Sequence, residues 1–464
     1  MPSADRPAAL APRDVVKAGL CIGCGSCAAA EPSAAMRWDE HGQLTPRGPS
    51  GWYRGRSESF ARRCPFSPAA RDETTLARDL FPGAPHAEER IGRHEACYVG
   101  HAAEEPFRAQ GSSGGMVSWV AAELLRRRLV DGVLHVAPSD PRATGRLFSY
   151  RVSRTARELK AGAKSRYYPV DLAAALREVR ERPGRYALVG IPCFIKAVQL
   201  LRREDPLMRQ RIAFTLGLFC GHMKSARMVE SFAWQMGIAP EEIAAAEFRL
   251  KDPNRPANWY RAEIATADGR RSSEDWWNLA DGDWGAGFFQ NPACNWCDDV
   301  AAETADIAFG DAWVEPYSSD GRGTNVVVVR TPLLAGVLRQ GLAEGRLALA
   351  EVDADFVAET QAAGFRHRRE GLALRLALRR GPLKPMKRVR PGMPPITARR
   401  KLVYLSRFVI SAASHRMFRA ARALRWPGLY LGWAKGALAL YQGLAWSRGR
   451  IGRLADRLSP KRET

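Results

Sequence analysis

Three cysteines at intervals of three, Cys21-Ile-Gly-Cys24-Gly-Ser-Cys27, constrain this chain more than any other stretch. A cubane iron–sulfur cluster needs four thiolates converging from different directions, and Cys-x2-Cys-x2-Cys is the run by which ferredoxin-type loops supply three of them. The fourth must come from elsewhere. In ferredoxins it commonly precedes a proline, and the next cysteine here, Cys64 in Arg63-Cys64-Pro65, fits that pattern. Zinc is the rival chemistry. Structural zinc sites usually present paired Cys-x2-Cys knuckles or Cys/His mixtures, and no histidine lies near this run.

Nine cysteines in 464 residues, behind a start (Met1-Pro-Ser-Ala-Asp-Arg-Pro) without the basic and apolar segments of a secretory signal, point to reduced ligand thiols in a cytoplasmic protein. The formal net charge of +22 raises the question of nucleic acid, and its distribution answers it. From Gly381 to Thr464 there are 19 Lys and Arg against 2 Asp and Glu, which leaves only +5 for the first 380 residues. A nearly balanced body with a basic tail, and no helix-turn-helix or other reading module, gives no nucleic-acid binder. The tail points instead to an acidic partner or an anionic membrane surface.

After Cys64 a polar segment to about Arg93 is expected to wrap the first cluster site, and Cys97, in an apolar stretch, reads as a buried structural thiol. Next, Gly111-Ser112-Ser113-Gly114-Gly115 leads into Met116, Val117, Val120, Ala121, Leu124 and Leu125 at helical spacing. Such a junction turns free N–H groups and the positive end of a helix dipole toward one spot, which suits a phosphate, although serine and glycine also make ordinary caps. Downstream, strands are expected at 133–136, 186–189, 212–219, 306–309 and 325–329, with helices starting near Leu172, Phe194 and Leu333. The fold class is therefore α/β: a mixed-sheet body, an N-terminal ferredoxin-like cluster-binding segment and a basic helical C-terminal tail.

Cys193 and Cys220 each follow a predicted strand, and parallel strands would bring both to one sheet edge. Cys294-Asn-Trp-Cys297 adds a pair. These four thiols make either a second ligand quartet or two core thiols beside a small zinc or redox pair.

Taken in order, the Cys-x2-Cys-x2-Cys start, Gly111–Gly115, Val130-Asp-Gly-Val133, Lys164-Ser-Arg-Tyr167, Gly190-Ile-Pro-Cys193, Leu218-Phe-Cys220, Cys294-Asn-Trp-Cys297 and Ala305-Asp-Ile-Ala-Phe-Gly-Asp-Ala-Trp313 resemble the family of coenzyme F(420) hydrogenase/dehydrogenase beta subunits, which includes ferredoxin-dependent chlorophyll-pathway reductases. The resemblance implies an FAD-containing iron–sulfur oxidoreductase with two [4Fe-4S] clusters, one on Cys21, Cys24, Cys27 and Cys64, the other on Cys193, Cys220, Cys294 and Cys297. It makes Gly111, Ser112, Ser113, Gly114 and Gly115 the flavin-phosphate loop and Lys164, Ser165 and Tyr167 contributors to the flavin pocket. The implied organisation is an iron–sulfur segment at 1–93, the family's N-terminal domain at 94–180, its C-terminal domain with the second cluster at 181–350, and the basic tail at 351–464. Two features depart from the family. Ile191 and Phe194 flank Pro192-Cys193 where threonine and glutamine are common, which leaves the substrate class open, and the tail beyond about Gly381 lies outside the shared core.

The route so implied is ferredoxin or another one-electron donor, cluster, cluster, FAD, organic substrate. The alternative is the flavin subunit of a larger hydrogenase or dehydrogenase, exchanging hydride with a deazaflavin or nicotinamide coenzyme. Reduction of an organic double bond also needs a proton, and His222, beside the Cys220 turn, is the catalytic candidate because an unperturbed imidazole titrates near neutrality. Asp298, Asp299 and Asp311 read as caps or ribose contacts rather than acids. In the tail, 395–426 reads as a basic amphipathic helix and 429–446 as an interfacial one, which together suggest peripheral contact with the inner face of the membrane.

Overall fold

The strand Tyr186–Gly190 is buried on both faces, which is why it reads as an unbroken apolar run. Tyr186 and Leu188 pack with Phe194 and Val198 on one side, while Ala187 and Val189 pack with Trp119 and Leu338 on the other. The structure, a computed structural model, describes residues 9–381 and 383–458, so the outermost ends of the expected iron–sulfur segment and tail lie outside the described residues. Eight strands form the main sheet: β1 (Ala96–Ala102), β2 (Gly132–Pro138), β3 (Phe148–Ser153), β4 (Tyr186–Gly190), β5 (Ile212–Leu218), β6 (Ile307–Asp311), β7 (Asn325–Val329) and β8 (Leu347–Val352). They lie in the order β8-β1-β7-β6-β5-β4-β2-β3. β2, β4, β5 and β6 are parallel neighbours, β1 runs with them, and β3, β7 and β8 run against them. The mixed α/β class expected from the sequence is the one observed.

One face is covered by α1 (Met116–Arg126) and α5 (Pro332–Ala343), through Trp119, Leu124, Leu334 and Leu338. The opposite core takes in α2 (Ala173–Glu181), α3 (Pro192–Glu204) and α4 (Arg227–Gln235). A small antiparallel sheet (Ile243–Glu247, Arg261–Thr266, Arg271–Asp275) flanks them.

The N-terminal segment is built from short pieces that could not hold together alone. A hairpin pairs Ala35–Trp38 with Leu44–Arg47, and the helix Glu58–Arg63, capped at Ser57, ends at Cys64. The segment is tied to the body by Leu172 N–H donating to the Cys24 carbonyl (2.9 Å) and by the Arg177 guanidinium donating to the carbonyls of Ala28, Glu31 and Ala34.

The C-terminal residues are no loose appendage. The helices α6 (Ala398–Ala423) and α7 (Pro427–Trp446) form a hairpin whose Phe418 and Tyr430 pack against Phe289 in the main core. The Phe289 N–H donates to Ser414 Oγ (2.9 Å), and the Tyr430 hydroxyl donates to Asp281 (2.8 Å). Among the described residues no helix is long and apolar enough to cross a membrane.

Candidate functional site

A cavity of about 820 Å³ opens along the sheet edge where β4, β5 and β6 end, the place where α/β sheets keep their ligands. Gly111, Ser112, Ser113 and Gly115 line part of it. Gly115 sits at φ +81°, and a Cβ there would meet the Phe107 carbonyl oxygen at 2.4 Å, so the turn into α1 demands glycine. Asn325 fixes the turn by accepting from Met116 N–H (3.2 Å) while donating to the Gly310 carbonyl (2.9 Å). Gly114 is the exception. It is absent from the cavity wall, and a Cβ on it would meet the Gly100 oxygen and Asn325 nitrogen within 3 Å, so it allows the loop to lie on the sheet rather than facing a ligand.

Behind this loop lies a residue that motif reading missed. Lys251 Nζ donates to the carbonyls of Arg108, Ser113 (2.8 Å) and Arg322 (2.7 Å). Of the three acceptors, Ser113 belongs to the loop, and its carbonyl is thereby held by a side chain outside the cavity wall. Burial, then Lys164, Arg108 and Arg249, pull the Lys251 ammonium down to about 7. Three acceptors oppose that, because the neutral amine has only two hydrogens to give.

Lys164, Ser165 and Tyr167 all line the cavity, and Ser165 N–H donates to Ser112 Oγ (2.8 Å), joining the two predicted stretches. Burial lowers the Lys164 ammonium. Tyr167 belongs to an aromatic wall, 4.8 Å from Trp284 and 6.4 Å from Tyr260 between ring centres. Arg249 lies over Tyr260 at 4.3 Å and pairs with Asp311 at 2.9 Å, so Asp311 serves as an ion-pair partner. The aromatic run Trp276-Trp277…Trp284 is visible in the sequence, but nothing local says that it faces a cavity.

Cys21, Cys24, Cys27 and Cys64 surround a second, small cavity. Gly23 and Gly25 sit at φ +75° and +77°, and a Cβ would bring the first within 2.7 Å of the Leu44 oxygen and the second within 3.0 Å of Asp171. The thiol loop is thus pressed between hairpin and body. Burial pushes Cys21 up to about 12 and Cys64 up to about 11. A positively charged metal centre displaces the proton of such a thiol and binds the thiolate that burial alone disfavours.

Cys193 and Cys220 lie just beyond the ends of the paired strands β4 and β5, as their sequence positions suggested. Burial, then the neighbouring Cys297, Cys220 and Cys294, hold the Cys193 thiol well above its ordinary value. Met223 N–H donates to Cys294 Sγ (3.3 Å), and Arg368 Nη2 donates to the Cys220 (2.8 Å) and Gly221 (2.6 Å) carbonyls. Cys24 and Cys193 both act on the buried Tyr150. Among the described residues no three His, Cys, Asp or Glu side chains close to the spacing of a single metal ion. A cubane asks for a wider arrangement, since its four thiolates attach to four different iron atoms. Four cysteine thiols in each group are the donor chemistry that such a cluster takes. Cys97 stands apart, buried in β1 against Val300 and Val328.

His222 faces the cavity next to Cys220, stacked on Trp284 at 4.2 Å with Nε2 unpartnered. Burial, then Lys224, Arg407 and Arg368, hold it well below its ordinary value. An imidazole so placed takes up a proton less readily than a free one, so the near-neutral titration expected of it from the sequence is shifted downward. Asp298 belongs to a buried ion network: Lys387 to Asp298 at 3.3 Å, Arg388 to Asp298 at 3.5 Å and to Glu303 at 2.5 Å, and Lys196 to Glu73 at 3.1 Å. Burial pushes the Asp298 carboxyl up, but Lys387, Arg388 and Lys196 outweigh it and hold it well below the usual range. Asp299 accepts from Glu303 N–H (3.1 Å).

Family models for the coenzyme F(420) hydrogenase/dehydrogenase beta subunit match the chain, the N-terminal part at residues 97–177 and the C-terminal part at 184–355. The chain belongs to this family. Membership makes it an oxidoreductase or a component of one. Among curated relatives, the coenzyme F(420)-dependent sulfite reductase of Methanocaldococcus jannaschii is 22% identical over 333 residues, covering 68% of this chain and 45% of that protein. A component of the F(420)H(2) dehydrogenase of Methanosarcina mazei is 22% identical over 329 residues, covering 69% and 82%. The chain thus spans less than half of the first relative and most of the second. A chain of the F(420)-reducing [NiFe] hydrogenase complex from Methanosarcina barkeri superposes with a TM-score of 0.47 at 17% identity, over 61% of this chain and 92% of that one.

Proposed function

We propose that this protein is an FAD-dependent iron–sulfur oxidoreductase that exchanges hydride with a deazaflavin or nicotinamide coenzyme and single electrons with a protein partner. The observation that carries the reading is the continuous cavity from the Gly111–Gly115 loop to Cys220. Its volume of about 820 Å³ lies in the range of about 300–1,000 Å³ that holds cofactor-sized ligands. When bound, FAD supplies two-electron hydride chemistry and a [4Fe-4S] cluster one-electron chemistry, so the pair converts between them. The loop N–H groups and Lys164 would hold the flavin phosphates. Tyr167, Tyr260 and Trp284 exclude water and orient a flat ring. Cys193, Cys220, Cys294 and Cys297 would hold one cluster beside it, with Arg368 fixing the Cys220–Gly221 turn. Cys21, Cys24, Cys27 and Cys64 would hold the other.

The partial exposure of Cys21, Cys27 and Cys64 favours a second version, in which ferredoxin delivers electrons at that end and an organic substrate is reduced at the flavin. The basic outer face of the tail would then serve partner docking or peripheral contact with an anionic membrane.

Anaerobic purification followed by addition of reduced F(420), NADH, NADPH or reduced ferredoxin separates the versions. Rapid loss of the flavin's visible absorbance with a reduced coenzyme supports the first, and with ferredoxin alone the second. A preparation with full iron and no flavin would sink both.

A further inference from the structure

Part of the cavity wall is built by residues outside both family matches, which cover 97–177 and 184–355. The segment 359–368 forms this wall, with Gln361 Nε2 donating to the Asp311 carbonyl (2.8 Å), and Arg407 reaches the cavity from α6. The unmet polar groups here belong to basic side chains. His367 Nδ1 and Nε2, His222 Nε2, Arg368 Nη1 and Arg407 Nε are buried without a hydrogen-bond partner. His367 is 7% exposed and Arg368 is 2% exposed. The acid acting on Arg407, Asp283, already accepts from Ala286 N–H and Gln442. Burial holds both imidazoles well below their ordinary value, so the charge here is that of Arg368 and Arg407, and a guanidinium with an unmatched donor beside unpartnered ring nitrogens marks a place that suits an anion.

We propose that Arg407, with His367 and Arg368, forms an anion subsite for the substrate, taking a carboxylate, phosphate or similar oxyanion while the rest of the substrate reaches toward the flavin. This names the substrate class of the cavity and rests on the flavin reading of it. The flavin's own phosphates are assigned to the Gly111–Gly115 loop, which shares no residue with this set. Arg368 also faces the cysteine quartet, where a cluster's negative charge would draw it, and Arg407 is therefore the discriminating residue.

The test uses the full chain, purified anaerobically with iron and flavin counted, and inorganic phosphate and acetate as probes in calorimetric titrations. Arg407→Met should weaken oxyanion binding about tenfold to a hundredfold. Arg407→Lys should recover part of it, and flavin content, iron content and melting temperature should not fall in either variant. Phosphate and acetate binding unchanged in Arg407→Met would overturn the subsite. So would loss of flavin in that variant, which would make Arg407 a cofactor-phosphate ligand, or loss of iron, which would make it a counter-charge for the cluster. Wild-type protein that binds the oxyanions through Arg407 but carries no flavin would keep the subsite and overturn only the flavin reading.

Discussion

Lys251 draws together three segments behind the Gly111–Gly115 loop without lining the cavity itself. Its three carbonyl acceptors lie on 108, 113 and 322, so removing the ammonium frees three segments at once. Hydrogen bonds to a charged group are worth roughly 1.5–3 kcal/mol, and Lys251→Met should weaken FAD about tenfold to a hundredfold, read by flavin fluorescence on dilution, while iron content stays unchanged. The pH dependence has a definite sign. The unfolded lysine stays charged to about pH 10.4, whereas in the fold the charge is lost from about 7 upward. The unfolded chain therefore binds more protons across that window, and this group's contribution to stability rises with pH. At the same time the loop loses a carbonyl clamp and nearby positive charge. Flavin affinity should fall between about pH 7 and 9, and FAD binding at about pH 8 should take up protons, measured by calorimetry in buffers of different ionisation enthalpy. Lys251→Met should abolish both effects.

At the scale of elements, the two cysteine groups differ in what positions them, and they were legible in proportion. Cys21, Cys24 and Cys27 declare themselves because one loop supplies three thiols, whereas Cys193 and Cys220 are brought to one side by the pairing of β4 with β5 and Cys294 is tied to their turn through Met223 N–H. Strands β4, β5 and β7 and helices α2, α3 and α5 lie within a residue or two of their expected positions, since each is a buried apolar run or a clear helical stripe. Edge strands β3 and β8 and the small sheet were not foreseen, because half-exposed strands such as Arg271–Asp275 carry charged and polar side chains. Lys251 and Arg407 were also beyond reach: a single cation has no pattern until the fold supplies its neighbours. Cys193→Ala and Cys64→Ala should each reduce iron from about eight to about four per chain, leaving the other cluster's electron paramagnetic resonance signal in place. The strap that carries Lys387 and Arg388 to Asp298, just past Cys297, is a further element-scale device. Lys387→Met leaves Asp298 and Glu73 short of a buried partner and should cost about 3–5 kcal/mol in chemical denaturation.

For the whole molecule, the position of the basic C-terminal residues decides which experiments are informative. Their inner face is core: Ser414, Phe418 and Tyr430 meet Phe289 and Asp281, Lys387 and Arg388 neutralise Asp298 and Glu303, and Arg407 lines the cavity. A chain ending at Arg380 should therefore fail to accumulate as folded protein, seen as loss of a cooperative melting transition, and tells nothing about surfaces. The outer face is the part that can bind something. It exposes Leu402, Val409, Leu424, Trp426, Leu440 and Trp446 together with Arg416, Arg419 and Arg425. Apolar side chains between arginines suit the headgroup boundary of an anionic bilayer, where each basic residue adds on the order of 1 kcal/mol and each buried indole adds its apolar area. The expected outcome is flotation of the full chain with anionic vesicles at low salt, weakening as salt rises. Trp426→Ser with Trp446→Ser should float less while keeping flavin, iron and melting temperature, because neither indole belongs to the core. Equal flotation of that variant, or no flotation of the wild type at low salt, would remove the membrane contact. The same arginine face would then be tested by crosslinking to reduced ferredoxin, with Arg416→Glu and Arg419→Glu expected to abolish the crosslink and slow flavin reduction by that donor.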